Sequence, residues 1–424
     1  MQKLLRLAAF LFLATAAICQ SPIQHVVVIM LENRSFDHLF GTYPGANGAT
    51  KGTLSTGAVV QLSHAPDAAK NSDHGWTGSI LAIDNGKMDK FDLLFGCKPP
   101  ASYTVCYSQY WQSDIPNLWA YAQHYVLADN FFSSIKGGSY TNHQYSIAAQ
   151  SGNAVGIPVV PAGAVLSWGC DADPATWVKL YDPATNTYSK TFPCFDYATL
   201  SDRLEAAGLG WASYCVPQFQ GGYQWCSFDS INHIRNDQRE WSHIRLVANF
   251  ATDARAGKLP AVTWVTPGSG LSCHPTALMS KCENWLTQQI NAIMAGPEWA
   301  STAIFVSWDD FGGFYDHVPP PKTDPFGFGI RVPLLIISPF VNPGTVCHTL
   351  SSFDSLLSFV ESNWSLPALT QRDANAGDLT TCMNLKASAK GLVQTPRPAP
   401  KLTRQRERQI EKEIQEERVS DDDD

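Results

Sequence analysis

The sequence has 424 residues, of which 44% are hydrophobic, so it can bury a large core in one large domain or two medium ones. This composition excludes a disordered chain. Asp and Glu outnumber Lys and Arg by 38 to 30, and the net charge of −8 argues against a general nucleic-acid-binding protein, because contact with phosphates needs a basic surface.

The first predicted element is an export signal over residues 1–19. Lys3 and Arg6 precede an apolar stretch at residues 7–18, and Ala17 and Cys19 supply small side chains at positions −3 and −1 of a cleavage site. A lipoprotein, in which Cys19 itself carries the lipid, is the alternative, and the bulky residue before Cys19 disfavours it. No later stretch has the roughly 18 apolar residues of a membrane span, so we expect a secreted or periplasmic protein.

Four short apolar runs that follow predict strands buried on both faces of a sheet. The first is QHVVVIM at residues 24–30, and the others lie at residues 261–265, 303–308 and 332–337. Helical patterns alternate with them at residues 282–295 and 353–363. Strands that alternate with helices are typical of an α/β layer fold with a mostly parallel sheet.

We place the main domain at residues 20–384, and the composition of the chain changes in the middle of this domain and again after it. Residues 152–259 hold five tryptophans, four cysteines and many turn residues, and we predict a cap-like elaboration there. After residue 385 the apolar pattern stops, and a Pro-rich stretch leads into mixed charges and four final aspartates. We therefore expect residues 385–424 to form a charged, flexible tail.

The cysteine count agrees with export. Beyond the leader there are ten cysteines: Cys97, Cys106, Cys170, Cys194, Cys215, Cys226, Cys273, Cys282, Cys347 and Cys382. An even number fits up to five disulfides, and the short separations 97/106, 215/226 and 273/282 suggest local pairs. The alternative, a structural zinc site, is disfavoured because the sequence has no Cys-x-x-Cys pair.

Acidic and amide side chains follow two of the predicted strands. Glu32 and Asn33 come directly after the first strand, and Asp309 and Asp310 follow the strand at residues 303–308. Ligands of parallel α/β sheets gather at the carboxyl ends of the strands, and adjacent carboxylates repel each other unless a cation lies near them. This mostly oxygen donor set suits Ca²⁺, Mg²⁺, Mn²⁺ or iron.

A glycine-rich turn before a predicted helix adds a third element. Gly137 and Gly138 precede Ser139, and the first N–H groups of a helix favour an anion at that position. A serine hydroxyl becomes a good nucleophile when a metal or base activates it. Ser139 is therefore either a nucleophile or an ordinary N-cap, and the spacing alone leaves both open.

Histidines supply candidate proton donors. His74, His143, His274, His317 and His348 lie beside turns or near the acidic strand ends. A single histidine is more often an ordinary turn or core residue than a catalytic one. Several of them around one acidic cluster favour acid–base chemistry and phosphate binding.

These segments occur together as an ordered series of motifs: ENRSFDHLFG, GGSYTNH, HP followed by CENW, WDDFGGFYDHVPPP, and RVPLLIISPFV with a later LTQRDANA. The series, from about residue 23 to residue 379, resembles the phosphoesterase family of bacterial and plant non-specific phospholipases C and the related acid phosphatase A. The resemblance implies an alkaline-phosphatase-like α/β three-layer sandwich that holds one divalent or other hard metal ion (Ca, Mg, Mn, Fe or Zn).

By motif position, the resemblance also implies roles for individual residues. Glu32, Asn33, Asp309 and Asp310 look like metal ligands, and Ser139 looks like the nucleophile that shares the metal and is transiently phosphorylated.

The remaining polar residues of the motifs have implied or open roles. His74 and His274 match histidines around the phosphate, and Asn142 matches an Asn that donates to a phosphate oxygen. Asp316 and His317 either support the metal loop or stabilise a turn, and the roles of His143 and His348 stay open. Many members have Pro and His where this chain has Thr141 and Phe311, so the acid that protonates the leaving group also stays open.

The expected function is a secreted, metal-dependent phospholipase C that hydrolyses phospholipid diesters, with possible partners limited to phosphate-ester substrates and a transient membrane surface. The alternative within the enzyme class is a broad acid phosphatase. A sulfatase-like enzyme is disfavoured because Ser139 lacks the Pro and Arg of a formylglycine motif. An inactive scaffold that only binds would have lost one of the five metal-site residues, and all five are present.

Overall fold

The computed structural model describes residues 21–416, so the predicted export signal lies outside the described residues. Within that range the strands are His25–Leu31 (β1), Lys51–Thr53 (β2), Val59–Gln61 (β3), Ser63–His64 (β4), Ser108–Gln109 (β5), Val126–Ala128 (β6), Phe131–Phe132 (β7), Val178–Asp182 (β8), Thr187–Thr191 (β9), Trp211–Cys215 (β10), Ile244–Leu246 (β11), Val262–Val265 (β12), Thr302–Trp308 (β13), Leu334–Ile337 (β14), Thr345–Cys347 (β15) and Ser351–Ser352 (β16). The α-helices in the same range are Phe36–Phe40 (α1), Trp76–Ile83 (α2), Pro116–His124 (α3), Ser139–Ala148 (α4), Leu200–Ala206 (α5), Asn232–Arg235 (α6), Gln238–Trp241 (α7), Phe250–Arg255 (α8), Met279–Ala295 (α9), Phe353–Trp364 (α10), Gln371–Ala374 (α11) and Arg404–Glu416 (α12).

An eight-stranded sheet in the order β11-β10-β12-β1-β13-β14-β6-β15 forms the centre of the molecule. Strands β11, β10, β12, β1 and β13 run parallel, whereas β14 is antiparallel to both of its neighbours. The prediction of an α/β fold with a mostly parallel sheet is confirmed. All four strands predicted from apolar runs are present, with ends within two residues of the predicted ones.

Helices cover both faces of this sheet. Every residue of β12, β13 and β14 is buried, which requires packing above and below the strands. Helices α3, α8 and α9 pack together as one group, and α4, α5 and α10 pack as another. The sheet lies between two helical layers, as the three-layer architecture requires.

The middle of the chain contributes to the sheet itself, which differs from the predicted cap over residues 152–259. Strands β10 and β11 lie within that range and pair in parallel with the central strands. The β8–β9 hairpin and the loops around it stand apart from the sheet. The reason is that Trp211–Cys215 is a buried run of five residues, too short to stand out among the aromatic and turn residues around it.

The C-terminal segment also differs from expectation, because its described part packs on the body. Arg397 pairs with buried Glu283 on α9 at 2.5 Å, and the Asn117 side chain donates to the carbonyl of Thr395 at 3.0 Å. In α12, Ile410 and Ile414 are buried one helical turn apart. The composition suggested a flexible tail, but two isoleucines and paired polar groups anchor this part; the final aspartates lie outside the described residues.

Five disulfides join all ten cysteines of the described chain: Cys97–Cys106, Cys170–Cys194, Cys215–Cys226, Cys273–Cys282 and Cys347–Cys382. The three predicted local pairs are confirmed. Among residues 21–416, none of the helices combines the length and the apolar character needed to cross a bilayer.

Candidate active site and metal centre

The carboxyl ends of β1 and β13 bring the predicted acidic residues together. The two strands pair in register up to Leu31 and Trp308, so the next residues of each strand are neighbours. The backbone N–H of Asn33 donates to Asp309 Oδ1 at 2.7 Å. Glu32, Asn33, Asp309 and Asp310 are almost completely buried, with exposed fractions of 0 to 1%.

Two left-handed residues shape the turn that holds this cluster. Asn33 has φ 60°, a conformation that Asn tolerates better than other side chains, and Gly312 has φ 61°. A Cβ atom at Gly312 would collide with the carbonyl of Asn33. The N–H of Gly312 donates to Asp310 Oδ1 at 2.8 Å, so the glycine both permits the close approach and fixes one carboxylate.

Helix α4 presents two further side chains to the cluster. Ser139 is its first residue, and its hydroxyl donates to Asn33 Oδ1 at 3.4 Å. The N-cap is Gly138, so the alternative that Ser139 caps the helix is wrong. His143 lies one turn later on the same face, and its Nε2 lies 3.0 Å from Glu32 Oε1.

The electrostatics of the cluster call for a cation. Burial first, and the neighbouring carboxylates second, raise the pKa of Glu32, Asp309 and Asp310 to about 8 each. Each of the three also has one buried oxygen without a hydrogen-bond partner among the described residues. Burial lowers the pKa of His143, which keeps its imidazole neutral and able to act as a ligand.

These residues fit a hard metal ion. Glu32, Asp309 and His143 each offer a ligand atom within 4.8 Å of the others, and the unpartnered carboxylate oxygens supply further donors. Oxygen-rich donor sets with one imidazole suit Mg²⁺, Mn²⁺, Ca²⁺ or iron, and zinc also accepts carboxylate and imidazole. An ion there would replace the protons that the raised pKa values otherwise require.

A chain of hydrogen bonds connects the serine to His74. The carbonyl of Ser72 lies 2.8 Å from His74 Nδ1, which places the ring proton on Nδ1. Nε2 then accepts from the Asn33 side-chain amide at 2.9 Å. This bond turns Asn33 Oδ1 toward Ser139 and the carboxylates, so His74 fixes the orientation of the Asn33 amide.

His274 lies in the same centre on a strained loop. Its ring is 6.4 Å from the ring of His74 and stacks on Trp225 at 5.7 Å. Its Nδ1 is 2.9 Å from the carbonyl of Pro275. Cys273 before it has φ 73°, and its disulfide to Cys282 ties the loop to α9.

Asn142 is placed differently from the position that its predicted role requires. Its side-chain amide donates to the carbonyls of Gly137 and Gly138 at 2.9 and 3.3 Å, and its Oδ1 accepts from the N–H of Ile135 at 3.2 Å. All these partners belong to the loop before Ser139. Asn142 therefore holds that loop in shape.

The structure does not bring Asp316, His317 and His348 to the metal cluster. Fully buried Arg331 donates to both Asp316 oxygens and to Asp37, and His317 Nδ1 lies 2.6 Å from Asp37 Oδ2. Burial raises the pKa of Asp316 to about 6 against the opposing effect of Arg331. This network joins the start of α1 to the loop after β13. His348 is exposed and pairs with Asp129 at 2.8 Å.

Some residues of the site were missed or left open in the sequence. His143 had a usable signal, because it follows Ser139 by four residues and so shares its helical face. Trp225, Ser72 and Arg331 gave no local signal, since their contacts join segments that are distant in the chain.

Comparisons with known proteins show what this chain is similar to. The model of the phosphoesterase family matches residues 23–367. Phospholipase C B of Mycobacterium tuberculosis is 26% identical over 86% of this chain and 78% of its own length. Non-specific phospholipase C3 of Arabidopsis thaliana is 25% identical over 95% of this chain and 80% of its own length. Among solved structures, a 2-O GAG sulfatase is 10% identical over 86% of this chain and 76% of its own, with a TM-score of 0.41.

Proposed function

Because this chain belongs to the phosphoesterase family, we propose that it is a phospholipase C, which hydrolyses phospholipid diesters to diacylglycerol and a phospho-alcohol. The chain is a phosphoric ester hydrolase. The observation that carries the proposal is the position of Ser139 at the start of α4. Its hydroxyl is hydrogen-bonded to Asn33 beside three buried carboxyl groups, each with one oxygen that has no hydrogen-bond partner among the described residues.

Glu32, Asn33, Asp309, Asp310 and Ser139 would hold the metal. A bound hard cation would lower the pKa of the serine hydroxyl and stabilise negative charge on the phosphoryl oxygens. The neutral imidazole of His143 also faces this set, through Glu32.

Ser139 Oγ, once its proton has passed to solvent, attacks phosphorus in the first displacement, and the bond from phosphorus to the diacylglycerol oxygen breaks. The product is a phosphoserine that carries the head group. Ser139 lies at the first turn of α4, where backbone N–H groups and the helix dipole favour the negative charge of the phosphoryl oxygens.

His274 donates the proton that the departing alkoxide needs, through the ring nitrogen that does not face Pro275. His74 keeps the Asn33 amide oriented. In the second displacement a water attacks the phosphoserine and His274 removes its proton, while Ser139 leaves as the alkoxide and regains its proton from solvent. The phospho-alcohol is released.

Secretion is part of the proposal. The leader at residues 1–19 has the pattern of a signal peptide, and five disulfides are typical of proteins that fold in an oxidising compartment.

The test uses protein that lacks the leader, freed of metal by chelation and then supplied with single metals. Its substrates are p-nitrophenyl phosphorylcholine, a diester, and p-nitrophenyl phosphate, a monoester. Ser139→Ala is compared with Ser146→Ala, a matched control on the same helix whose hydroxyl donates only to a backbone carbonyl.

Metal-dependent turnover of the diester that is lost in Ser139→Ala and kept in Ser146→Ala supports the proposal. Turnover of the monoester alone points to an acid phosphatase. Equal activity of Ser139→Ala and the parent removes Ser139 from the mechanism.

A further inference from the structure

The C-terminal helix α12 packs on an apolar surface that is formed by other parts of the chain. We define the covered patch as Tyr140, Ile157, Trp168, Trp225 and Ala277, on which Ile410 and Ile414 pack. Both isoleucines are more than nine-tenths buried, although most of α12 is charged and exposed. The helix thus hides a largely aromatic surface from solvent.

The covered patch adjoins the catalytic residues. Tyr140 directly follows Ser139, and the Trp225 ring stacks on His274 at 5.7 Å. Ile157 lies 3.1 Å from the position that a Cβ atom of Gly138 would take, and Gly138 is the N-cap of the helix that carries the serine. A group bound on the patch would therefore be next to the phosphoryl group.

The catalytic side chains are closed off in this arrangement. Ser139 and His74 are each 2% exposed, and His274 is 5% exposed. A phospholipid carries a large substituent on each side of its phosphorus. Some element must move before such a diester can reach Ser139.

Helix α12 is held on the body through its two buried isoleucines. A helix of 13 residues is marginally stable without tertiary contacts. Besides the two isoleucines, a partly exposed ion pair between Glu407 and Lys281, at 3.0 Å, connects it to the body, and such pairs contribute little to stability. A cavity of about 270 Å³ lies between part of the helix and the loops at residues 220–221 and 268–271, beside their direct contacts. Such incomplete packing favours displacement of the helix.

The rim of this cavity already exposes apolar side chains. Phe219 is 75% exposed, and it precedes the cavity residue Gln220. Leu271 is 37% exposed and lines the cavity itself. Exposed aromatic and aliphatic groups beside a second, hidden apolar surface are typical of proteins that contact a lipid interface.

We propose that α12 is a displaceable cover and that the covered patch binds the apolar glycerol and acyl part of the substrate at a lipid surface. This inference rests on the phospholipase function proposed above. Contact of Phe219 and Leu271 with lipid favours the open state, and the patch then exchanges Ile410 and Ile414 for the lipid.

The test uses the full chain without its leader. Ile410→Asp with Ile414→Asp weakens the cover, and Gln405→Asp with Arg408→Asp is the matched control on exposed positions of the same helix. Turnover is measured on dioleoylphosphatidylcholine vesicles and on soluble p-nitrophenyl phosphorylcholine. Minor open states usually amount to 0.1–10%, so weakening the cover should raise vesicle turnover at least about tenfold and soluble turnover much less.

A disulfide lock tests the same inference without removing an apolar contact. The Cβ position at Gly221 lies 3.8 Å from Glu411 Cγ, and once the Ser269 hydroxyl, 2.5 Å from that position, rotates away, Gly221→Cys with Glu411→Cys can join α12 to the body. The locked protein should lose vesicle turnover and regain it after mild reduction. The parent receives the same treatment, with its five native disulfides checked by mass spectrometry.

The proposal is overturned if the aspartate variant keeps its soluble turnover but hydrolyses vesicles no faster than the parent. Full vesicle turnover by the disulfide-locked protein also overturns it. If the aspartate variant does not fold, the result with the disulfide-locked protein decides the question. Equal vesicle hydrolysis by all variants leaves the phospholipase function standing. Hydrolysis of only the monoester by every variant refutes the phospholipase function, and the lipid patch with it.

Discussion

Removal of the metal is expected to make the stability of the protein depend on pH in a defined direction. In the chelated protein the pKa of Glu32, Asp309 and Asp310 is raised to about 8, whereas their ordinary values are 3.8 to 4.5. Between these limits the folded state binds protons that the unfolded state has lost. The free energy of unfolding therefore falls as the pH rises from about 5 to about 8.

The magnitude follows from the proton count. Each carboxyl that is protonated only in the folded state lowers the free energy of unfolding by about 1.4 kcal/mol per pH unit. Between pH 5 and pH 7 this amounts to about 3 kcal/mol if one of the three stays protonated and about 8 kcal/mol if all do. The metal-loaded protein lacks this loss, since its carboxylates are ionised and paired with the cation.

The assay compares the melting temperatures of chelated and metal-loaded protein at pH 5 and pH 7, with the metal that restores activity. The increase in Tm caused by the metal should be larger at pH 7, by on the order of 5 °C. Asp229 and Glu361 also have pKa values raised to about 8, and taking the difference between loaded and chelated protein cancels their contribution. Asp309→Asn, with one fewer acid, should reduce the effect. An equal metal-induced shift at both pH values would refute the reasoning.

Three further outcomes are expected. His274→Gln should slow steady-state hydrolysis of both the lipid and the p-nitrophenyl diester by roughly 10²- to 10⁴-fold but should spare the first-turnover burst of p-nitrophenolate, which leaves without a proton; burst and steady-state kinetics measure this. Arg331→Met should lower the free energy of unfolding by about 3 to 5 kcal/mol, because it leaves two buried carboxylates without their cation, and an unchanged urea midpoint would contradict this. Gly312→Ala should reduce thermal stability and metal-dependent turnover, because the φ of Gly312 is 61° and the new methyl group would meet the carbonyl of Asn33. The control Gly270→Ala, whose methyl group would have open space around it, should change neither.

Much of the site was predictable because its chemistry is local in sequence. Glu32 and Asp309 each follow a buried strand directly, and the carboxyl ends of parallel strands meet at one edge of a sheet. The glycines before Ser139 marked it as a candidate, and only the family resemblance favoured a nucleophile over an N-cap. These predictions needed only the direction of the strands, not their order.

The remainder depends on contacts between distant segments. The sequence does not indicate that β14 inserts antiparallel beside β13, or that β10 extends the sheet at residue 211. Composition is a weak guide there, because a buried run of five residues resembles its aromatic surroundings. The packing of α12 was hidden for the same reason, since two isoleucines in a charged segment indicate burial only once their partners are known.

The hydrogen bonds around Asn33 show how such distant contacts decide the chemistry. The carbonyl of Ser72 sets the tautomer of His74, and that tautomer makes Nε2 an acceptor for the Asn33 amide. With its nitrogen engaged, Asn33 can present only its oxygen to Ser139 and the acidic cluster. An oxygen suits a hard cation, whereas the amide nitrogen would repel it. The Ser72 backbone carbonyl thus selects which Asn33 atom would face a metal ion held by this cluster.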